Sequence, residues 1–308
     1  MNAFELTPRP PFRLVPTVRA LQRLPGNRVD VLKDGRYCRV LATGDGPRLV
    51  VAADAGSIEQ PLVRVAIAGG PLPVAAVAAL RATLADMLGI AVDLTPFYDV
   101  AAEDPRLRAA ATALRGLKPP RFPTLFETFV NTVVFQQISL AAAVAIVGRL
   151  VDRFGRPFEI EGERYFGFPE PAAIAAASAE ELRSVGLMVR KAEVLRHFAG
   201  LVLAGALSFD TLRPLSSEEA IRVLTELPGV GRWTAEVLLL RGLGRLDVFP
   251  SGDAGVRRGL ARLLGREQPL TAADEAPLLA RFGAVRGCLY FYSLGWRLLQ
   301  MGLIEAVP

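Results

Sequence analysis

Two short segments of this 308-residue chain contain residue types that do chemistry next to a phosphate. Residues 227–235 place Gly229 and Gly231 two positions apart, in a turn predicted between two helices. Glycines let a backbone approach a phosphate closely, and the free N–H groups of a helix N-terminus attract anions. Asp253 follows 20 positions after Trp233, at the predicted start of another helix. A phosphate site beside a carboxylate predicts an enzyme that acts on nucleic acid.

Each segment also has a simpler structural interpretation. Gly229 and Gly231 fit an ordinary turn between helices, where glycine supplies a positive φ. A dinucleotide-binding loop fits less well, because these glycines follow a predicted helix rather than a strand. Asp253 fits a helix N-cap, although a capping carboxylate is held rigidly and can still face a cleft.

The composition favours a folded protein with two domains and an anionic partner. Hydrophobic residues make up 51% of the chain, which is enough for a sizeable core. A length of 308 residues suggests two domains. The formal net charge of +5 favours an anionic partner.

The cysteines and the histidine predict no redox or metal chemistry. Cys38 and Cys288 are too few for a four-cysteine iron–sulfur cluster and have no metal-ligand spacing. Because neither a disulfide framework nor a signal peptide is recognisable, a reducing cytosol is the expected compartment. The longest apolar run, residues 138–148, is too short to span a bilayer. His197 lies in a predicted apolar helix without a catalytic partner, so we expect a structural role.

Residues 1–103 predict a small antiparallel sheet with one packed helix. Apolar residues alternate along the strands, Asp34 and Gly35 predict a hairpin turn, and Pro73 and Gly89 bound the helix. The strands are expected at residues 12–21, 28–32, 37–42, 48–52 and 62–68, and the helix at residues 73–88.

Residues 104–308 predict an all-helical region, so the expected fold class is α+β. Apolar residues recur at helical spacing, and Ser178 and Ser216 begin capping boxes with Glu181 and Glu219. Helices are expected at residues 106–117, 125–135, 139–154, 190–204, 220–226, 232–240, 253–264, 272–281 and 288–301.

This helical region resembles the helix-hairpin-helix DNA glycosylases, which have a glycine- and proline-rich loop and an essential aspartate. The resemblance covers roughly residues 105–300 and is greatest to the bacterial 3-methyladenine DNA glycosylase II subfamily. It implies a domain pair with the active-site cleft between two helical subdomains, behind a small N-terminal α/β domain. The matching segments are residues 126–139, 168–171, 182–187, 190–193 and 227–235, followed by Asp253.

The resemblance assigns roles to an acid and three aromatic residues. The family counterpart of Asp253 is the catalytic carboxylate, which stabilises the positive charge that develops on the sugar as the N-glycosidic bond breaks. Trp233 stands where lyase relatives have a nucleophilic lysine, which implies a monofunctional glycosylase without lyase activity. Trp233, Phe126 and Tyr290 are expected in the base pocket, where aromatic rings stack on cationic bases. A core position is the alternative for Trp233 and Tyr290.

The same resemblance implies double-stranded DNA with damaged bases as the partner, and flipping of the target base out of the duplex. Gln136 and Gln137 are expected in the loop that fills the vacated space, with Gln137 as the wedge; helix capping is the alternative. Further DNA contacts are expected from Gly229, Val230, Gly231, Arg232 and Thr234. The carbonyls of Thr225, Leu227 and Val230 are expected to hold a structural monovalent cation, and no cofactor is required.

Two positions depart from the subfamily pattern, and three functions stay open. Val237 stands where the subfamily often has a tyrosine, and the aromatic residue that the subfamily has in its last helix would fall near Leu294.

The leading hypothesis for the function is release of alkylated purines of the 3-methyladenine type in base excision repair. The others are release of deaminated or oxidised bases, and non-catalytic DNA binding through the hairpin. We expect a monomer in a bacterial cytoplasm, associated with the nucleoid.

Overall fold

The computed structural model describes residues 2–307, and its N-terminal unit contains a five-stranded antiparallel sheet. The strand order is β1-β5-β4-β3-β2. The tight β2–β3 turn has positive φ at Asp34 and Gly35, as its sequence predicts. The edge strand β1 was not predicted. The strands are β1 Asn2–Leu6, β2 Val31–Lys33, β3 Arg36–Thr43, β4 Gly46–Asp54 and β5 Val63–Ala68.

Two helices, α1 Leu14–Gln22 and α2 Val74–Met87, share a core with this sheet. The strand predicted for residues 12–21 is therefore wrong. Leu14, Val18 and Leu21 recur at helical spacing and are buried in this core. The sequence tolerates the helix because Pro16 lies in its first turn, where no N–H group is needed.

The rest of the chain is mainly helical, so the α+β fold class is confirmed. A π-helical turn, Leu239–Leu243, extends α12, and a 3-10 turn, Gly283–Val285, precedes α15. A small hairpin of β6 Pro157–Ile160 and β7 Glu163–Phe166 was not predicted. The helices are α3 Thr95–Ala101, α4 Pro105–Ala113, α5 Leu125–Phe135, α6 Leu140–Phe154, α7 Pro171–Ala176, α8 Ala179–Ser184, α9 Val189–Leu203, α10 Phe209–Leu212, α11 Ser217–Thr225, α12 Arg232–Leu238, α13 Ala254–Leu263, α14 Ala272–Phe282 and α15 Gly287–Gln300.

These helices form two bundles with separate hydrophobic cores. The first bundle consists of α5–α12, and the second consists of α3 and α4 with α13–α15. Helix α3 lies before the boundary predicted at residue 103, yet Phe97 and Ala101 join the core of the second bundle. Within residues 2–307, no helix is long and apolar enough to cross a membrane.

A buried ionic cluster joins the N-terminal sheet to the first bundle. Arg39 on β3 donates to both carboxylate oxygens of Glu127 on α5, at 2.8 and 2.6 Å. Arg39 also pairs with Asp30, which accepts a hydrogen bond from the hydroxyl of Tyr37. The side chains of Arg39, Asp30 and Glu127 are at most 3% exposed. This cluster fixes α5 relative to the sheet.

Candidate active site

The glycine turn connects α11 to α12 and contacts α9. Gly229 has a φ of 78°, which L side chains rarely adopt. A Cβ there would lie 2.7 Å from Cγ2 of Val194, so glycine also allows close packing on α9. Gly231 directly precedes α12, and a Cβ there would meet no atom within 4 Å. The N-terminus of α12 is therefore open to an approaching anion.

Asp253 caps α13, and both of its carboxylate oxygens accept hydrogen bonds. Oδ1 accepts from the backbone N–H groups of Gly255 and Val256, at 2.7 and 3.0 Å. Oδ2 accepts from the indole Nε1 of Trp233, at 3.1 Å. The N-cap interpretation and the functional one are thus compatible, because the capped carboxylate also faces a cleft.

A cleft of about 1030 Å³ lies between the two bundles and is lined by residues from both. Asp253 lines this cleft. Most of the site residues predicted from the sequence meet here. Those lining the cleft are Gln136, Gln137, Gly229, Gly231, Trp233, Thr234, Asp253 and Tyr290.

Three aromatic residues line the cleft, and one of them differs from the prediction. Trp233 and Tyr290 line it as expected, but Phe126 does not; it is buried in the first bundle core. Phe135, nine positions later on α5, lines the cleft instead. Nine residues are two and a half helical turns, so Phe126 and Phe135 face opposite sides of α5. Val237 also lines the cleft.

The loop between α5 and α6 forms one rim of the cleft. Gln136 donates from Nε2 to Oγ1 of Thr234 at 2.9 Å, which ties the loop to α12. Gln137 is exposed and has a φ of 58°, in the left-handed region. Lys191 on α9 donates from Nζ to the carbonyls of Val134 and Gln136, at 3.1 and 2.7 Å. Lys191 therefore caps the end of α5, and its partial burial lowers its pKa.

Three residues predicted to contact DNA have side chains that are engaged within the protein. Arg232 does not line the cleft; it pairs with Glu218 at 2.7 Å and with Glu236 at 3.0 Å. These carboxylates oppose the expected phosphate contact of its guanidinium. Val230 packs its side chain into the first bundle core, which leaves only its main chain at the turn. Thr234 is 2% exposed and serves as the acceptor for Gln136.

Four arginines that the sequence analysis did not single out line the cleft: Arg23, Arg258, Arg262 and Arg297. None of them forms an ion pair within residues 2–307. Arg258 and Arg262 are four positions apart on α13, so they share one helix face directly after Asp253. This four-residue spacing could have been recognised in the sequence as a basic face of the helix that follows Asp253. Arg23 and Arg297 offered no such signal, because their positions depend on contacts between distant elements.

The sequence of this chain is similar to those of curated repair enzymes. Residues 130–277 match the family model described as HhH-GPD superfamily base excision DNA repair protein. The chain is 35% identical over 207 residues to the DNA-3-methyladenine glycosylase of Bacillus subtilis (strain 168), covering 67% of this chain and 68% of that protein. It is 28% identical over 229 residues to DNA-3-methyladenine glycosylase 2 of Escherichia coli (strain K12), covering 73% and 75%.

The fold is similar to that of a solved structure over almost the whole chain. The 3-methyladenine DNA glycosylase from Archaeoglobus fulgidus superposes with a TM-score of 0.81 and 27% sequence identity, covering 97% of this chain and 98% of that one. A glycine hairpin and a fixed carboxylate facing one cleft define a DNA repair protein of the helix-hairpin-helix type. The chain belongs to the HhH-GPD superfamily of base excision DNA repair proteins, which confirms the predicted family.

Proposed function

We propose that this chain is a monofunctional DNA glycosylase that releases alkylated purines from double-stranded DNA. The observation that carries the proposal is the position of Asp253. Its carboxylate stands in a cleft between two bundles, fixed by Trp233 and by the first turn of α13. Similarity to 3-methyladenine glycosylases over about two thirds of the chain supports alkylated purines as the substrate class.

Asp253 acts on the sugar of the flipped nucleotide. As the bond between C1′ and the base nitrogen breaks, its electron pair leaves with the base and cancels the positive charge of an alkylated ring. Positive charge develops on the sugar, and a carboxylate fixed in a cleft stabilises it. The oxygen of a water molecule then bonds to C1′, and one of its protons passes to the Asp253 carboxylate. The products are the free base and an abasic site.

The walls of the cleft suit a cationic purine and offer no lyase nucleophile. The ring of Trp233 is hydrogen-bonded to Asp253 and lines the cleft, as does Tyr290, and aromatic faces attract cationic rings. Trp233 cannot form a Schiff base, and none of the cleft-lining residues within 2–307 is a lysine. Lys191 lies close to the rim, but its Nζ is engaged with two carbonyls at the end of α5.

The surfaces around the cleft suit a bent duplex with one base removed from the stack. The exposed Gln137 at the cleft rim would fill the space that the base leaves. The open N-terminus of α12 at Gly231 would bind one backbone phosphate. Arg258 and Arg262 on α13 would contact other phosphates, because they are exposed and free of ion pairs in the described chain.

The hairpin carbonyls suit a monovalent cation that bridges to a phosphate. Among residues 2–307, no backbone N–H donates to the carbonyls of Thr225 and Val230, so both keep free lone pairs. The Leu227 carbonyl accepts one hydrogen bond, from the N–H of Val230 at 3.1 Å, and keeps its second lone pair.

One chain supplies every wall of the cleft, so we expect the monomer to be active. We also expect the protein to act in the cytoplasm.

Incubation with methylated genomic DNA, followed by mass analysis of the released bases, tests this function. We expect 3-methyladenine and 7-methylguanine in solution and abasic sites, without strand breaks, in the DNA. Release of no alkylated base by the folded protein would contradict the proposal. Strand breaks that appear without any base treatment would contradict the monofunctional part alone.

A further inference from the structure

Helix α5 contributes an almost buried amide to the wall of the cleft. Asn131 lines the same cleft as Asp253, and only 8% of the residue is exposed. It lies within the segment 126–139 that carries the resemblance, but no role was assigned to it from the sequence. A side-chain amide buried to this extent needs a partner for each of its polar atoms.

The amide of Asn131 has a fixed orientation. Its Nδ2 donates to the backbone carbonyl of Glu127, one turn earlier, at 3.0 Å. A carbonyl can only accept, so the nitrogen and not the oxygen of the amide must face it. Oδ1 accepts no hydrogen bond within residues 2–307, yet it is not shut off from solvent. Because the residue lines the cleft, this unused acceptor is open to a molecule bound there.

The helix that carries Asn131 is held in place from behind. Glu127, Asn131 and Phe135 follow one another at intervals of four residues, so they share one face of α5. At one end of this row, Arg39 of the sheet donates to the Glu127 carboxylate at 2.8 and 2.6 Å. At the other end, Phe135 lines the cleft. Rotation of α5 would break the buried ion pair, so Oδ1 of Asn131 keeps its position when a base enters.

A fixed acceptor discriminates between purines by the group that they carry at C6. An adenine-derived base has one amino group, at C6, and this group donates. Alkylation makes the ring cationic, so its hydrogen bond to a neutral acceptor is charge-assisted. A guanine-derived base held in the same pose presents a carbonyl at C6 instead. Two acceptors would then face each other in an almost dry wall, and neither would have a partner.

We propose that Asn131 is a specificity-determining residue, whose Oδ1 accepts a hydrogen bond from the C6 amino group of an adenine-derived base. The proposal rests on the proposed function and deepens it, because it names the base that the same cleft favours. Asp253 caps a helix of the second bundle, whereas Asn131 lies on α5 of the first bundle. The base therefore spans the cleft, with its sugar at Asp253 and its outer edge at Asn131.

The test compares two bases released from the same methylated DNA under single-turnover conditions. In DNA, 3-methyladenine and 3-methylguanine have the same methylated nitrogen and the same positive charge, but they differ at C6. The measured quantity is the release rate of 3-methyladenine divided by that of 3-methylguanine. We expect Asn131→Leu to lower this ratio roughly tenfold, because one hydrogen bond is lost and one repulsion is relieved. A ratio divides out any general loss of folded or active protein.

Two further variants isolate the acceptor. Asn131→Asp keeps an oxygen acceptor at the same position, so it should keep a ratio close to that of the unsubstituted protein. Thr128→Val is the matched control, because Thr128 lies on the same helix and does not line the cleft. Its hydroxyl donates to the Thr124 carbonyl at 2.7 Å, which is also a bond to the preceding turn. Thr128→Val should leave the ratio unchanged.

The possible outcomes for Asn131 are distinct. An unchanged ratio in Asn131→Leu overturns the specificity role, whether both rates fall together or neither falls. A ratio that rises would mean that the acceptor meets the C2 amino group of guanine, which overturns the assignment to adenine-derived bases. A ratio as low in Asn131→Asp as in Asn131→Leu would assign the preference to side-chain shape rather than to the acceptor. Failure of the proposed function looks different, because the unsubstituted protein would then release neither base.

Discussion

The indole Nε1 of Trp233 donates a hydrogen bond to Oδ2 of Asp253 at 3.1 Å. One residue begins a helix after the glycine turn, and the other caps a helix of the second bundle. The bond therefore connects the two bundles inside the cleft, at the carboxylate of Asp253. Oδ1 accepts the two cap hydrogen bonds, while Oδ2 accepts from a side chain that also lines the cleft.

Asp253→Asn should abolish most base release and leave the fold intact. Asparagine caps helices as well as aspartate does, but its amide nitrogen would then face the indole N–H of Trp233, so we expect the free energy of unfolding to fall by about 1 kcal/mol. Removal of the negative charge should slow base release by on the order of 100-fold or more. Single-turnover release from methylated DNA and anisotropy with undamaged duplex measure the two effects. Asp274→Asn, a first-turn substitution on α14 outside the cleft, should keep its release rate. Undiminished release by Asp253→Asn would remove the carboxylate from the mechanism.

Trp233→Phe should separate orientation of the carboxylate from stacking on the base. Phenylalanine keeps an aromatic face but cannot donate to Oδ2 of Asp253. We expect release of cationic and neutral bases to fall by a similar factor, roughly tenfold. Trp233→Ala should slow release of cationic bases further, because the cation–π contact is lost as well. The check uses duplexes containing 7-methylguanine or hypoxanthine. Equal losses for both bases in Trp233→Ala would exclude cation stacking by this ring.

Local patterns in the sequence were sufficient for the parts of the site that lie near one another along the chain. The turn at Gly229 and Gly231, the helix that follows it and the cap at Asp253 were all predicted from residue types and spacing. Helix α5 has the predicted bounds, because its apolar residues and Thr124 cap define them. Such features depend on backbone propensities that act within a few residues.

Contacts between distant elements could not be predicted in this way. Phe126 was expected in the pocket, but periodicity alone does not say which of the apolar residues of α5 meet the cleft. Phe135, Arg23 and Lys191 reach the cleft or its rim only because α5, α1 and α9 pack as they do. Arg23 was harder still, since the segment before it was predicted as a strand and no motif marks it.

Gln137→Gly should stabilise the protein and slow release from duplex DNA. A φ of 58° costs an L residue about 1–2 kcal/mol that glycine does not pay, so we expect a gain of up to about 1 kcal/mol in unfolding free energy. Loss of the wedge should slow release from duplex but not from single-stranded methylated DNA. Glu161→Gly is the matched control, because Glu161 has a φ of 51° in the turn between β6 and β7. It should gain stability and keep both rates. If Gln137→Gly released bases from duplex DNA as fast as the unsubstituted protein, the wedge role of Gln137 would be contradicted.

Lys191→Met should misplace the wedge loop. It removes two hydrogen bonds to the carbonyls of Val134 and Gln136, which we expect to cost about 1–3 kcal/mol of unfolding free energy. Release from duplex should slow, and it should slow less when Gln137→Gly is already present, because both changes act through the same loop. Rates of the two single variants and the double variant provide the measurement. The exposed Arg190→Met serves as the control. If the losses of release rate in the two single variants add up fully in the double variant, Lys191 does not act through the loop that carries Gln137.

The buried cluster of Arg39, Asp30 and Glu127 should make stability depend on pH. One guanidinium cannot neutralise two carboxylates, and burial raises the pKa of Glu127 from its usual 4.5 to about 7. The folded state therefore binds a proton that the unfolded state releases between these values, so unfolding free energy should fall as pH rises from about 4.5 to about 7. The slope should approach about 1.4 kcal/mol per pH unit. Urea unfolding at several pH values checks this, and Glu127→Gln should flatten the profile. Glu59→Gln, which alters an exposed pair with Arg115, should keep the slope. A Glu127→Gln profile as steep as that of the unsubstituted protein would mean that another group binds the proton.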